Sequence, residues 1–193
     1  MKSLQRKDQI RFKAQVMFRE RGYAETSMRD LADSLGIEAA SLYNHVASKE
    51  EILQSICFGM ADSFFKAIDA IMESRELPRE KLKAAILAHL DVITENADAS
   101  AVFQNEWRHM REPFLSDFKQ MRRRYEQCFR MIIEEGIMDG SFRDVDSRLA
   151  ARIILSGTYW TYESYRSATA NTLKKVNDQI TEMLIAGIDK RKK

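Results

Sequence analysis

Proline and glycine are scarce in this chain, two and seven among 193 residues, which argues against a turn-dense β architecture and against collagen-like or low-complexity structure. Cysteine is scarcer in effect than in number. Cys57 and Cys128 lie in separate apolar stretches with no C-x-x-C spacing and no neighbouring histidine, so neither a disulfide framework nor a zinc site is expected, and both read as buried free thiols. The three histidines, His45, His89 and His109, fall far apart and read as ordinary helix residues rather than metal ligands. A glycine-rich phosphate loop, H-E-x-x-H and G-x-S-x-G are all missing. The carboxylate pairs Glu134 with Glu135 and Asp144 with Asp146 stand where helix ends and turns explain them. No enzyme chemistry, cofactor or metal is therefore expected. No apolar run approaches the ~18 residues of a membrane span, and no apolar region follows the basic start, so a soluble, cytoplasmic protein without a membrane partner is expected.

What is present is hydrophobic residue (45%) and charge (31%) in helical register. Ile10, Ala14, Met17 and Phe18 form an i, i+4, i+7, i+8 stripe that stops at Gly22. Thr26 or Ser27 then caps a short helix bearing Met28, Leu31, Ala32 and Leu35, which Gly36 ends. A compact segment from Glu38 to His45 follows. Two short helices joined by a tight glycine-containing turn form a helix-turn-helix. Ser48 with Glu51 marks a capping box opening a long helix. Later stripes predict helices from Pro78 to about Asn96, from Ser100 to Met110, after Pro113 until Gly136 and Gly140 close it, from Asp146 to Arg166, and from Thr172 to Ile188. The expectation is an all-α fold of about nine helices. Its three-helix reading module occupies residues 1–50, and a helical effector-binding and dimerisation domain occupies 51–193. Charge agrees with that division, because residues 1–29 carry eight Lys or Arg against three acids although the whole chain nets only +2.

Residues 10 to 53 carry more than periodicity. The steps Phe18, Gly22, Tyr23, then Thr26 to Ala32, Leu35-Gly36-Ile37, Ser41-Leu42-Tyr43 with His45, and Ser48-Lys49-Glu50 closely resemble the DNA-binding domain of the TetR/AcrR family of regulators. The resemblance implies a recognition helix over Glu38 to His45 that enters the major groove of double-stranded operator DNA. On that reading Thr26, Ser27, Tyr43, His45 and Lys49 hold phosphates, while Arg29, Ala39, Ala40, Ser41 and Asn44 face base edges. The chain departs from the family pattern at Glu38-Ala39-Ala40, where Ser, Lys and often Gly are usual, so base preference does not transfer from relatives.

Past residue 55 the likeness thins. Glu106-Trp107-Arg108, Arg124-Tyr125-Glu126, Gly140 to Arg143 and Trp160 to Arg166 are similar to a branch of the family that regulates lipid, steroid and aromatic-acid catabolism, several members of which respond to CoA thioesters. Met60, Phe64, Phe103, Trp107, Tyr125, Phe129 and Tyr162 are the candidates for an apolar effector pocket, with Arg108, Arg111, Arg122 and Arg166 for effector phosphates. The function this implies is a homodimeric repressor released from its operator by a small hydrophobic effector. The dimer is expected to form through the last two helices. Two alternatives stand beside it: a helical binding protein or enzyme with an incidental helix-turn-helix, and an architectural DNA binder with a filled core.

Overall fold

A computed structural model describes residues 6–164 and 168–190. The described residues form α1 (Arg6–Arg21), α2 (Met28–Ser34), α3 (Ala39–Tyr43), α4 (Lys49–Glu73), α5 (Pro78–Glu95), α6 (Ala97–Asn105), a 3₁₀ turn (Trp107–His109), α7 (Phe114–Met138), α8 (Ser147–Thr158), α9 (Thr161–Ser164) and α10 (Ala170–Ala186). The architecture is all-α. Two compact units result: Met1–Met60 with Asp98–Lys119, and Ala61–Ala97 with Gln120–Lys193.

In the first unit the stripe of α1 buries Ile10, Ala14, Met17 and Phe18, each contributing roughly 1.5 to 3 kcal/mol for the larger side chains. Gly22 and Gly36, at φ of 85° and 65°, supply the left-handed steps that end α1 and turn the chain after α2. Leu31 and Ala32 of α2 and Leu42 of α3 complete the buried centre of the module. At the start of α4, Ser48 Oγ accepts from Glu51 N at 3.0 Å, and the Glu51 carboxylate takes the amide of Ala47 rather than that of Ser48. The 98–119 segment adds an aromatic knot, in which Phe118 meets Phe103 at 5.2 Å and Phe58 at 5.7 Å, both edge-on.

In the second unit α5 packs along α10 and also touches α8 and α9. Leu82, Ala85, Ile86, Leu90 and Ile93 of α5 are buried, as are Phe129, Ile132 and Ile133 of α7. Polar links border this core: Lys83 to Glu182 at 2.7 Å, Asn177 Nδ2 to Asp91 Oδ1 at 3.0 Å, and Arg79 to Asp189 at 3.2 Å. The two ion pairs are partly exposed and secondary to the burial, whereas Asn177 is itself buried.

Three expectations need correction. Gly136 does not close α7, which runs on to Met138; a Cβ at Gly136 would lie 2.2 Å from the Phe142 ring, so this glycine serves a close approach. The helix expected from Asp146 to Arg166 is instead capped by Asp146, ends at Thr158 and is followed by the short α9. At the break, side chains engage the preceding turn, with Thr158 Oγ1 on Leu155 O, Trp160 Nε1 on Gly157 O and Thr161 Oγ1 on Thr158 O, each 2.7 Å. Cys57 is buried, whereas Cys128 is half exposed, since it stands beside rather than within the inward stripe of α7.

Candidate DNA-reading head and effector cluster

Ser27 caps α2. Its hydroxyl accepts from Asp30 N at 3.0 Å and donates to Asp30 Oδ2 at 2.6 Å, while its own amide donates to the same oxygen at 2.9 Å. These bonds hold the Asp30 carboxyl below the ordinary carboxylate range. Thr26 behaves differently: it is 1% exposed and its hydroxyl proton is given to Gly22 O at 2.9 Å, so it ties the turn together. Helix α3 is anchored by one buried side chain, Leu42. Tyr43, Asn44, Ala40 and Arg29 are exposed, and Ala39, Ser41 and His45 are half-buried.

Lys49 engages the same turn. Its ammonium donates to Tyr23 O and Thr26 O, both at 2.7 Å, and to Ala24 O at 3.3 Å, and it lies 4.3 Å from the centre of the Tyr23 ring. All three N–H bonds are engaged, so this geometry leaves no donor for DNA. Around the same turn, Tyr23 N donates to Glu106 Oε2 at 3.2 Å, and the Tyr23 ring stacks on His109 at 5.1 Å. Arg19 pairs with Asp98 at 3.0 Å, and Arg111 N donates to Glu50 Oε1 at 2.8 Å. Burial and the Glu50 carboxylate push the Tyr23 phenol up, against a smaller opposing pull from Arg111. Thus residues 98–111 are fastened to the reading head at several points within one compact unit. Such partners are up to 83 residues apart in sequence, and no local pattern announces them.

The effector candidates divide between the units. In the first, Met60 and Phe103 are buried and Trp107 packs on Phe118 at 5.9 Å; the exposed Arg108 lies over the Trp107 ring at 4.5 Å, and Arg111 is paired with Glu50. In the second, Phe64, Tyr125 and Phe129 are buried together, with centroids 5.4 Å apart for Phe64 and Tyr125 and 5.5 Å for Tyr125 and Phe129. Arg122 and Tyr162 are half-buried, and the Arg122 charge pulls on the phenol of Tyr159 against the rise that burial causes. Arg166 lies outside the described residues. A residue missed in the sequence joins the second cluster. His89 stacks on Phe64 at 4.6 Å and its Nδ1 sits 3.0 Å from Tyr125 Oη. Among the described residues no group of His, Cys, Asp or Glu is placed to hold a metal ion, and no described helix is long and apolar enough to cross a membrane.

A helix-turn-helix head with a helical domain behind it defines a class of bacterial DNA-binding regulators, and the comparisons agree. The chain belongs to the TetR family of transcriptional regulators: residues 13–56 match the model described as "Bacterial regulatory proteins, tetR family", and residues 75–188 the "Tetracyclin repressor-like, C-terminal domain". The HTH-type transcriptional repressor KstR2 of Mycolicibacterium smegmatis is 30% identical over 185 residues, covering 95% of this chain and 90% of the relative. The ketosteroid transcriptional regulator KstR2 of Mycobacterium tuberculosis has a solved structure that superposes with a TM-score of 0.91 at 29% identity, covering 98% of both chains. AibR, solved in complex with isovaleryl coenzyme A and operator DNA, shares the fold at a TM-score of 0.82 and 21% identity, over 94% of this chain and 98% of that one. Members of this family are transcriptional regulators that bind operator DNA, not enzymes.

Proposed function

We propose that this regulator is a homodimeric repressor whose residues 1–50 read an operator and whose residues 51–193 bind an apolar effector and the second subunit. The observation that carries the DNA role is α3 itself. One buried leucine holds it, and Ala40, Tyr43 and the C-cap Asn44 are exposed, as is Arg29 on α2, a mixture suited to base edges, thymine methyls and phosphates. Ser27, Ala39, Ser41 and His45 border that surface; Lys49 and Thr26 are assigned instead to holding its turn.

Dimerisation through α8 and α10 is supported by apolar side chains left uncovered in one protomer: Leu149 at 58%, Ile153 at 55% and Met183 at 77% exposure. Monomeric proteins seldom keep such a face open. Gly157 adds close packing there, because a Cβ on it would stand 3.3 Å from Leu184 Cδ2. Coupling is supported by the fastening of residues 98–111 to the reading head through Arg19, Tyr23 and Glu50, so an effector that shifts this segment moves the head with it. A coupling of about 1 to 3 kcal/mol changes operator affinity roughly 5- to 150-fold. The effector class is an acyl-CoA or a ketone of steroid-like skeleton, in keeping with the KstR2 likeness.

The experiment is a gel shift on the chain's own upstream DNA, repeated with acyl- and aryl-CoA esters, ketosteroids and free acids. Specific binding that one class relieves supports the reading. Binding that no metabolite relieves leaves an architectural DNA binder, and absence of specific binding refutes the regulator.

A further inference from the structure

Buried polar atoms in folded proteins nearly always have a partner, so an exception within an aromatic cluster calls for a reason. His89, midway along α5 and 1% exposed, is that exception: its Nε2 is buried with no hydrogen-bond partner. The ring lies nearly parallel to Phe64 (4.6 Å, 28°) and meets Phe129 (6.1 Å, 78°) and Tyr159 (5.7 Å, 80°) edge-on. All of these residues belong to the second compact unit. Tyr159 is half-buried, and the other rings of the group are buried.

The single contact at Nδ1 fixes the proton. If the Tyr125 hydroxyl donates to Nδ1, the imidazole proton sits on Nε2 and one group lacks a partner. If Nδ1–H donates to Tyr125, both the Nε2 lone pair and the phenol proton lack one, since no other acceptor for that proton is found among the described residues. Each unmatched buried group costs about 1 to 3 kcal/mol, so the first arrangement prevails and Nε2–H is an idle donor. Its ring is uncharged at neutral pH, burial alone having lowered its pKa to about 3. An uncharged donor walled by aromatic rings suits a neutral acceptor and offers a carboxylate no counter-charge to replace its water.

We propose that the Nε2–H of His89, oriented by Tyr125, recognises a carbonyl oxygen on an uncharged apolar part of the effector, with Phe64, Phe129 and Tyr159 as the surrounding surface. This deepens the effector reading above and rests on it. Ketones and thioesters present the same oxygen, and the test separates them.

Release from operator DNA and binding are measured with two matched pairs, octanoyl-CoA against S-octyl-CoA thioether and 5α-androstane-3,17-dione against 5α-androstane, with octanoate as the charged control. Whichever skeleton acts on the wild-type dimer names the source of the carbonyl. Within it the carbonyl member should bind roughly 5- to 10-fold tighter than its carbonyl-free twin, and that preference should fall below about twofold in His89→Phe. A preference retained in His89→Phe, or no preference in the wild type, overturns the proposal while leaving the effector reading intact. Octanoate acting alone also overturns it. If no compound releases DNA from the wild type, the effector reading fails and this inference with it. Should His89→Phe not fold, ¹⁵N spectra of the wild-type histidines carry the test: a downfield move of the His89 Nε2–H signal on adding the active carbonyl compound supports the contact, and an unmoved signal refutes it.

Discussion

Replacing Lys49 by Met keeps the apolar stem and deletes the ammonium, so it separates two roles that the sequence alone confuses. The ammonium makes two bonds of 2.7 Å and one of 3.3 Å to carbonyls of the α1–α2 turn, and it faces the Tyr23 ring. Hydrogen bonds from a charged donor contribute about 1.5 to 3 kcal/mol each when buried. Here the residue is half exposed and water replaces part of what is lost, while the ring contact adds about 0.5 to 1 kcal/mol. The variant should therefore lose about 2 to 3 kcal/mol of stability, seen as a lower urea midpoint with an unchanged slope. DNA binding, followed by fluorescence anisotropy from 50 to 300 mM salt, should keep its log–log slope among the molecules still folded. A phosphate contact would instead lower that slope by about 0.9 at no cost in stability. Unchanged stability with the lower slope refutes the turn-clamp role.

Further outcomes follow from other parts of the molecule. Tyr43→Phe should weaken specific and nonspecific DNA binding alike, about 2- to 10-fold at matched salt, whereas Asn44→Ala should change which bases are preferred; competition binding against single-base operator variants distinguishes them. His89 has a lowered pKa in the folded chain, so the unfolded chain takes up its proton first as pH falls, and stability present above pH 6.5 is lost below it. Between pH 7.5 and 5 this amounts to about 2 kcal/mol, and the difference in urea stability between those pH values should shrink by that much in His89→Phe. Leu149→Glu with Ile153→Glu should yield a folded monomer by sedimentation, since neither side chain is buried in one protomer; a dimer would place the interface elsewhere.

What the sequence revealed follows the reach of its signals. The stripe in α1, the left-handed glycines at 22 and 36, and proline at the start of α5 are local, and each stands where periodicity and capping rules put it. Choosing between Thr26 and Ser27 as the cap needed the tertiary packing that buries Thr26, and adjacent hydroxyls carry no mark of which points inward. The convergence of three carbonyls from residues 23 to 26 on Lys49 is likewise not disclosed by the lysine's sequence neighbours. The contacts of Glu106 with Tyr23 and of His89 with Tyr125 join distant segments, so they are invisible to helical periodicity. The candidates for the effector site were legible as apolar stripes, but their division into one cluster around Phe118 and another around His89 was not.

The central claim is that the α3 surface reads a specific DNA site as one half of a symmetric pair. Selection of binding sequences from a random DNA library with the full-length protein tests this most directly. The account predicts enrichment of a palindrome with half-site centres about 34 to 36 Å apart, or a multiple of that spacing, lost on Tyr43→Ala together with Asn44→Ala. Enrichment of no sequence, or of a site without two-fold symmetry that survives the double substitution, would contradict it.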